Sequence, residues 1–189
     1  MRVAVIGAGR WGRNLVANLA ALEALAIVAD PDQRLRESLA GQYPGVPMVS
    51  DHRLALAGDW PAVAIATPAP THYAIAREAL EAGKDVFVEK PLTLSSHEAE
   101  ALVALARDRG RVLMVGHLLL YQPAVRFLQR FLAEGGVGEL VSLHQERLNL
   151  GQARAVENAL WSLGVHDVAV LLHLIGHAPS EVQACGQAA

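Results

Sequence analysis

Residues 2–14 read RVAVIGAGRWGRN, a run of β-forming residues followed by three glycines and the start of a helical pattern. Gly7, Gly9 and Gly12 have the spacing G-x-G-x-x-G, directly between the predicted strand and the predicted helix. At this spacing the first glycine makes a tight turn, the second lets a ligand approach the backbone, and the third lets the helix pack close to the strand. The N–H groups at the start of the helix then face a phosphate. The stretch predicts a dinucleotide-binding turn, and the alternative is a glycine-rich turn with a structural role alone.

Asp30 ends the next apolar run, ALAIVAD, residues 24–30. A carboxylate at this position accepts hydrogen bonds from the adenosine ribose hydroxyls and repels a 2′-phosphate. The sequence therefore favours NAD over NADP, although Arg34 could soften the discrimination. In the alternative interpretation, Asp30 and the following Pro31 only cap the next helix.

Apolar runs and amphipathic segments alternate as far as about residue 116, a pattern typical of a parallel sheet covered by helices. The apolar runs are residues 2–7, 24–30, 62–67, 85–90 and 111–116. The helical segments at 71–83 and 95–110 open with a Thr or Ser that could cap them, and each closes with a glycine. We expect an α/β fold, with a doubly wound Rossmann domain over residues 1–118.

The pattern changes in residues 119–189. Residues 121–140 predict a helix that ends at a glycine cluster, and residues 140–150 alternate like a half-exposed antiparallel strand. Another helix is expected around 162–176 and a short strand at 181–186. Because so few strands cannot bury a sheet face, we expect the beginning of an α+β domain that is truncated.

Lys90 is unusual, since only Lys84 shares its residue type and 14 of the 16 basic residues are arginine. Ligands of open α/β sheets bind beyond the carboxyl ends of the strands, where both TPAPTH, residues 67–72, and EKP, residues 89–91, are expected. A lysine ammonium can be tuned by its neighbours to give or share a proton, whereas a guanidinium stays charged. Lys90 is therefore predicted to face the ligand crevice, aimed by a following proline whose peptide could be cis. The alternative is an ion pair of Lys90 with Glu89 or another carboxylate.

The composition narrows the class of protein. The chain has 189 residues, 52% of them hydrophobic, and a formal net charge of −3. It has no Lys/Arg-rich run, so neither a nucleic acid nor an anionic membrane is an expected partner. The first residues resemble a strand rather than a signal peptide, and polar residues interrupt the apolar stretch 160–177, so we expect a cytoplasmic protein. Cys185 is the only cysteine and cannot form an internal disulfide.

Four segments together resemble the glucose-fructose oxidoreductase and inositol dehydrogenase family, Gfo/Idh/MocA. They are GAGRWG, ATPAPTHY, VEKPLTLS and ALWSLGVHDVAVLLHLIG. The resemblance implies an NAD(P)-dependent oxidoreductase of sugars, polyols or sugar nucleotides, with a C-terminal domain that forms the substrate site. That domain often forms the oligomer interface too, which implies a dimer or tetramer if the domain is complete. The segments LWS and HD resemble branches of the family linked to sugar-nucleotide and surface-polysaccharide metabolism.

The resemblance also implies roles for single residues. Lys90 corresponds to the family's catalytic-site lysine, Glu89 and Pro91 shape the nicotinamide pocket, and residues 67–72 form a cofactor-facing loop. Arg10 and Arg13 are expected in solvent or near phosphate. The residues expected to bind the cofactor are Gly7, Gly9, Arg10, Trp11, Gly12, Asp30, Thr67, Pro68, His72, Glu89, Lys90 and Pro91.

The second-domain helix supplies a candidate partner for Lys90. In many family members an aspartate stands four residues before a histidine on this helix, and here His166 follows Ser162 at that spacing. Asp167 cannot simply replace the aspartate, because consecutive helical residues diverge by about 100°. His166 suits a proton acceptor and Lys90 a donor, with exchangeable roles, unless His166 is a structural histidine. A metal site that includes His173 and His177 is not expected.

Polar and aromatic residues flank the expected cleft. The candidate substrate contacts are Tyr121, Arg147, Asn149 and Trp161. Trp161 is equally suited to the core, and Arg147 either to a substrate carboxylate or phosphate or to a surface salt bridge.

The leading expectation is NAD-dependent hydride transfer to or from a CH–OH carbon. The alternatives are a non-catalytic dinucleotide sensor and a different reaction of the family. Such reactions include dihydrodiol oxidation, biliverdin-type reduction and NAD-assisted glycoside hydrolysis.

Overall fold

The computed structural model describes residues 1–148 and 158–186, and the chain divides into two compact units. The first unit is Met1–Gly116 and the second is His117–Ala189. The division falls two residues before the boundary expected at residue 118. None of the described helices is long and apolar enough to cross a membrane.

Six parallel strands form the sheet of the first unit, in the order β3-β2-β1-β4-β5-β6. The strands are β1 Val3–Ile6, β2 Leu25–Ala29, β3 Met48–Val49, β4 Ala62–Ile65, β5 Asp85–Val88 and β6 Leu113–Val115. This order is that of a Rossmann fold, and the five strands predicted from apolar runs are confirmed. Strand β3 was not predicted, because two residues at a sheet edge are too short to show a pattern.

Helices cover both faces of this sheet. They are α1 Gly12–Ala21, α2 Gln33–Gln42, α3 His52–Leu56, α4 His72–Glu81 and α5 Ser96–Asp108. Successive side chains of β1 enter two separate cores: Val5 packs in the cluster that contains Val16 of α1, and Ile6 in the cluster that contains Leu80 and Leu102. Because strand residues alternate between faces, this division confirms the doubly wound arrangement.

The predicted helix caps are partly wrong. Neither Thr71 nor Ser95 caps its helix through its side chain. The Thr71 hydroxyl instead lies 2.7 Å from Thr67 Oγ1, because the preceding chain forms a turn that offers closer partners. The expected glycines do follow helices α4 and α5, with positive φ at Gly83 and Gly110.

The second unit is helical in its described residues. Its elements are a 3-10 turn at Leu118–Tyr121, helix α6 at Pro123–Ala133, a π-helical turn at Leu160–Gly164 and helix α7 at Val165–Ile175. The strands predicted at 140–150 and 181–186 are not formed at residues 140–148 and 181–186, and residues 149 and 150 lie outside the described ranges. A strand needs a neighbouring strand to pair with, and the described residues of this unit include no strand that could serve as this partner.

Lys84 is a structural lysine. Its Nζ donates to Gly58 O at 2.6 Å and to Trp60 O at 2.8 Å. The Trp60 ring lies so close to Gly58 that a Cβ there would be 2.0 Å from Cη2. The ammonium thus closes a tight loop at the start of β4.

We expect Lys84→Met to lower the free energy of unfolding by about 1–3 kcal/mol, because two carbonyl groups lose a charged donor. Urea unfolding measures this change. The control is Arg77→Met, which removes an exposed ion pair with Glu81 of 3.8 Å and should cost less than about 1 kcal/mol. Equal effects of the two changes would contradict the structural role of Lys84.

Candidate functional site

The glycine turn joins β1 to α1 with no space for larger residues at two of its three positions. Gly7 has φ +86°, and a Cβ there would lie 2.8 Å from the backbone of Ala66 at the end of β4. A Cβ on Gly12 would lie 2.1 Å from Gly7 O, so α1 crosses directly over the turn. Gly9 differs, since nothing lies within 4 Å of its Cβ position. The turn therefore combines two positions closed by the protein with one that is open.

The carboxylate of Asp30 is buried beside this turn, with 8% of the residue exposed. Its Oδ2 accepts from Ala8 N at 2.8 Å and its Oδ1 accepts from Asp32 N at 2.9 Å. The cap of α2 is Asp32, which accepts from the N–H groups of Arg34 and Leu35. Asp30 is therefore not the cap of this helix, and its carboxylate is fixed against the glycine turn.

Arg36 holds the loop that carries Asp30. Its Nη1 donates to Asp30 O at 2.7 Å and to Pro31 O at 2.8 Å. This role of Arg36 was not predictable from the sequence, because an arginine in the first turns of a helix has the pattern of an ordinary solvated side chain. Arg34 is exposed.

Glu89 and Lys90 follow directly after β5. Glu89 N donates to Ile65 O at 2.9 Å, so parallel pairing extends to this residue. Its carboxylate is buried and accepts a hydrogen bond from the indole Nε1 of Trp11, the residue before α1. Lys90 is half-buried, and the Lys90–Pro91 peptide is cis.

Burial raises the pKa of Glu89 above its ordinary value of 4.5. The hydrogen bond from Trp11, a backbone hydrogen bond from Lys90 and the positive charges of Lys90 and His72 all act in the opposite direction. Burial and the neighbouring groups therefore have opposite effects on the pKa of Glu89, and the effect of burial is the larger.

His72 connects the two loops at the ends of β4 and β5. It is 1% exposed, with Nδ1 2.7 Å from Pro91 O and Nε2 2.9 Å from Thr67 O. The imidazole therefore bridges the loop before α4 to the residue that follows Lys90. Pro68, in the same loop, is exposed.

Gly116, directly after β6, belongs to the same region. A Cβ at this position would lie 3.0 Å from Glu89 Oε1 and 3.0 Å from the Phe87 ring. A side chain at residue 116 would therefore require the Glu89 carboxylate or the Phe87 ring to shift by a few tenths of an ångström. The glycine ending RVLMVG was the available signal in the sequence, and it was interpreted only as the end of a strand.

The first unit fits a dinucleotide by its own geometry. The open backbone at Gly9 and the start of the ten-residue helix α1 leave room for a pyrophosphate. The Asp30 carboxylate, at the end of the neighbouring strand, retains acceptor capacity for ribose hydroxyls beyond its two backbone contacts. Arg10 and Arg13 are exposed at the turn.

In the second unit, His166 and Ser162 are both buried, at 9% and 8% exposure. Ser162 lies in the π-helical turn and His166 in the first turn of α7. Such π-helical turns are rare and occur frequently at functional sites. His177 lies beyond Gly176, which ends α7 with φ +82°, so it does not continue the helix face of His166 and His173.

Asp167 connects residues 145 and 147 to α7. Arg147 Nε lies 2.7 Å from both carboxylate oxygens of Asp167, Arg147 Nη2 lies 2.6 Å from Oδ1, and Gln145 Nε2 donates to Oδ1 at 2.6 Å. Arg147 thus forms a salt bridge, the predicted alternative to a substrate contact. Asp167 therefore has a partner of its own, and this role differs from that of the aspartate for which Ser162 stands in this chain.

The other candidate substrate contacts differ in their surroundings. Tyr121 is 54% exposed, and the Arg126 guanidinium lies 5.4 Å from its ring centroid. Trp161 is half-buried in the π-helical turn, where its backbone N–H donates to Asn158 Oδ1 at 3.0 Å. Asn149 lies outside the described residues. Among the described residues, no group of three or more His, Cys, Asp or Glu side chains could hold a metal ion.

The strand order, the closed glycine turn and the buried acid at the end of β2 define a dinucleotide-binding protein of the Rossmann class. A family model described as "Oxidoreductase family, NAD-binding Rossmann fold" matches residues 1–117. The chain belongs to this family, GFO_IDH_MocA, which confirms the resemblance found in the sequence and, at the level of the family, the expected cofactor NAD.

Three relatives illustrate the likeness. The chain is 35% identical over its whole length to UDP-N-acetylglucosamine 3-dehydrogenase of Acidithiobacillus ferrooxidans, and a solved structure of that protein, GnnA, matches with a TM-score of 0.88. It is 29% identical over 93% of its length to inositol 2-dehydrogenase of Burkholderia multivorans. The structure of GenD2 from gentamicin A biosynthesis in complex with NAD matches at 32% identity over 93% of the chain, with a TM-score of 0.80.

The chain spans just over half the length of these relatives. It covers 59% of the first and 55% of the second, and 54% of the GenD2 chain.

Proposed function

We propose that this protein is an NAD-dependent oxidoreductase that moves a hydride between nicotinamide and a secondary alcohol or ketone carbon of a sugar, polyol or sugar nucleotide. The proposal rests on one observation: the glycine turn, Asp30 and the Lys90 loop all lie at the same edge of the sheet. A hydrogen bond from Trp11 to Glu89 connects the glycine turn to the Lys90 loop. Ligands of such sheets bind at this edge.

Nicotinamide, when bound, accepts or donates the hydride, and the protein supplies the acid–base groups and the charge stabilisation. Oxidation of an alcohol also releases the hydroxyl proton, so a group near the reacting oxygen must take it up. Lys90 and His166 are the proposed acid–base groups, with exchangeable roles. Lys90 also provides a positive charge that would stabilise an alkoxide as it develops.

The substrate class rests on the relatives. UDP-N-acetylglucosamine is the first compound to test, since the relative aligned over the whole chain is named for it, and myo-inositol is the second. The assay is the appearance of NADH absorbance with each compound and NAD. A dimer or tetramer is part of the proposal and is measured by light scattering.

A dinucleotide sensor is the second candidate, and one observation favours it. Ser162 stands where many family members have the aspartate that accompanies the histidine, and a hydroxyl cannot supply the same charge. NADH binding by the protein without turnover of any sugar, polyol or sugar nucleotide would favour the sensor over the enzyme.

We expect NADH to bind at least about tenfold more tightly than NADPH, a difference of about 1.4 kcal/mol, because the Asp30 carboxylate repels a 2′-phosphate. Calorimetry with both nucleotides measures this. Asp30→Asn should reduce the preference. The control is Asp32→Asn, which keeps a capping oxygen and should leave the preference unchanged. A preference for NADPH in the unaltered protein would contradict the role of Asp30.

A further inference from the structure

Both ring nitrogens of His72 lie next to hydrogen-bond acceptors. Nδ1 is 2.7 Å from the carbonyl oxygen of Pro91, and Nε2 is 2.9 Å from the carbonyl oxygen of Thr67. A carbonyl oxygen accepts hydrogen bonds but donates none, and a neutral imidazole carries only one N–H. Both contacts can therefore be hydrogen bonds only when both ring nitrogens carry a proton, that is, when the side chain is an imidazolium.

The burial of the ring makes the number of its protons decisive. His72 is 1% exposed and begins helix α4, directly after a 3-10 turn at Ala69–Thr71. If the ring lost one proton, a nitrogen lone pair would face a carbonyl oxygen inside the protein. Two acceptors at this distance repel each other, and both would lack a donor. One of the two contacts would then have to open.

A buried imidazolium also needs a counter-charge, and the segment after β5 supplies one. The positive charge of His72 and the carboxylate of Glu89 attract each other, whereas Lys90 has the same sign of charge as His72. Strand β4 and residues 66–71 contain no titratable side chain. The other titratable side chains near the ring in sequence or on the adjacent helix lie in the first two turns of α4 and of α5, namely Tyr73, Arg77, Glu78, His97, Glu98 and Glu100.

We infer that His72 is a positioning residue that forms a proton-dependent bridge: its imidazolium holds the loop after β4 to the loop that carries Lys90, and loss of one proton releases one of the two loops. Thr67 belongs to the first loop, and Pro91 directly follows Lys90 in the second. The meaning of the bridge for catalysis rests on the proposed function, but the bridge itself can be tested without cofactor or substrate.

The experiment is nitrogen-15 and carbon-13 NMR of the protein free of nucleotide, from about pH 5 upward until the ring of His72 loses a proton. The nitrogen signals show which ring nitrogens carry a proton, and the carbonyl carbon signals of Thr67 and Pro91 show whether each oxygen accepts a hydrogen bond. We expect both nitrogens to be protonated while both carbonyl groups are hydrogen-bonded. One carbonyl signal should then change with the same midpoint as the ring.

Two glutamine variants provide a matched comparison. His72→Gln has one amide donor and one acceptor oxygen, so it can hold only one of the two loops at any pH. The pH-dependent change of the carbonyl signal should vanish in this variant and persist in His97→Gln, the same substitution at an exposed histidine of α5. The titration of the unaltered protein decides the inference even if His72→Gln does not fold.

Two results would overturn the inference. The first is a His72 ring with a single proton while both carbonyl signals keep their hydrogen-bonded positions. The second is the same pH-dependent carbonyl change in folded His72→Gln, which would assign the change to another group.

Turnover and NADH titration connect the bridge to the proposed function. His72→Gln should lower turnover by a factor on the order of 10 to 10², because the loop that carries Lys90 is less precisely placed. NADH affinity should change by less than about threefold, since the glycine turn and Asp30 are proposed to carry it. Full turnover in His72→Gln would overturn the positioning role.

The same samples separate this inference from the proposed function. A proton-dependent bridge in a protein that binds no NADH supports the inference and contradicts the proposed function. NADH binding by a protein in which a singly protonated His72 holds both loops supports the proposed function and overturns the inference.

Discussion

Replacement of Lys90 by alanine is expected to lower turnover by a factor on the order of 10² to 10⁴ while NADH binding is retained. The loss is large because a positioned proton donor acts at the transition state, and its removal leaves the developing alkoxide without a charged partner. NADH affinity should persist, since the glycine turn and Asp30 are proposed to carry it. Turnover is measured with the compound that the NADH absorbance screen identifies.

Two matched variants sharpen this prediction. Lys90→Arg keeps a positive charge but cannot release a proton near neutral pH, so it should recover little activity. Lys84→Ala removes the structural lysine and should keep the turnover of its folded fraction. Full activity of Lys90→Ala would exclude Lys90 from the chemistry.

Two substitutions in the glycine turn are expected to have opposite effects on stability and on NADH binding. Gly12→Ala should destabilise the protein by about 2 kcal/mol or more, because its Cβ would lie 2.1 Å from Gly7 O and the helix must move. Gly9→Ala should change stability by less than about 0.5 kcal/mol, since nothing lies within 4 Å of the new methyl group. Yet Gly9→Ala should weaken NADH binding at least about tenfold, because the methyl group occupies the space proposed for the pyrophosphate.

Unfolding in urea and NADH calorimetry, applied to both variants, test this contrast. The comparison is controlled internally, since each variant adds a single methyl group to the same turn. Unchanged NADH affinity in a stable Gly9→Ala protein would contradict the proposed position of the nucleotide. An undisturbed Gly12→Ala protein would contradict the close crossing of α1 over the turn.

Much of the first unit could be predicted from the sequence because its signals are local. The buried parallel strands have apolar runs, and the glycines at 7, 9 and 12 have a spacing with a direct geometric cause. The position of Asp30 directly after β2 was predictable, because this residue ends such a run. In contrast, the two-residue strand β3 shows no periodicity. Thr71 and Ser95 resembled caps, but the Thr71 hydroxyl bonds within the preceding turn, to Thr67 and Pro68, and Ser95 makes no cap through its side chain.

Contacts between distant residues could not be predicted. The bond of Trp11 to Glu89 and the bridge of His72 to Pro91 depend on which strands are neighbours, and Arg36 acts on carbonyl groups that have no signature in the sequence. In the second unit, alternation at 140–148 predicted a strand, but alternation gives only a tendency that requires a pairing partner. The partner of Arg147, Asp167, is likewise 20 residues away.

The position of Trp11 and Glu89 at either side of β4 also has a consequence for folding. The site is made of contacts with large sequence separation, which form only after long loops have closed. Residues 1–30 contain β1, β2, the three glycines and Asp30, but not the end of β4 against which Gly7 lies. The position of Glu89, and of the loop that follows it, is thus a property of the completed sheet, because Glu89 pairs with β4 and accepts a hydrogen bond from Trp11 beyond that strand.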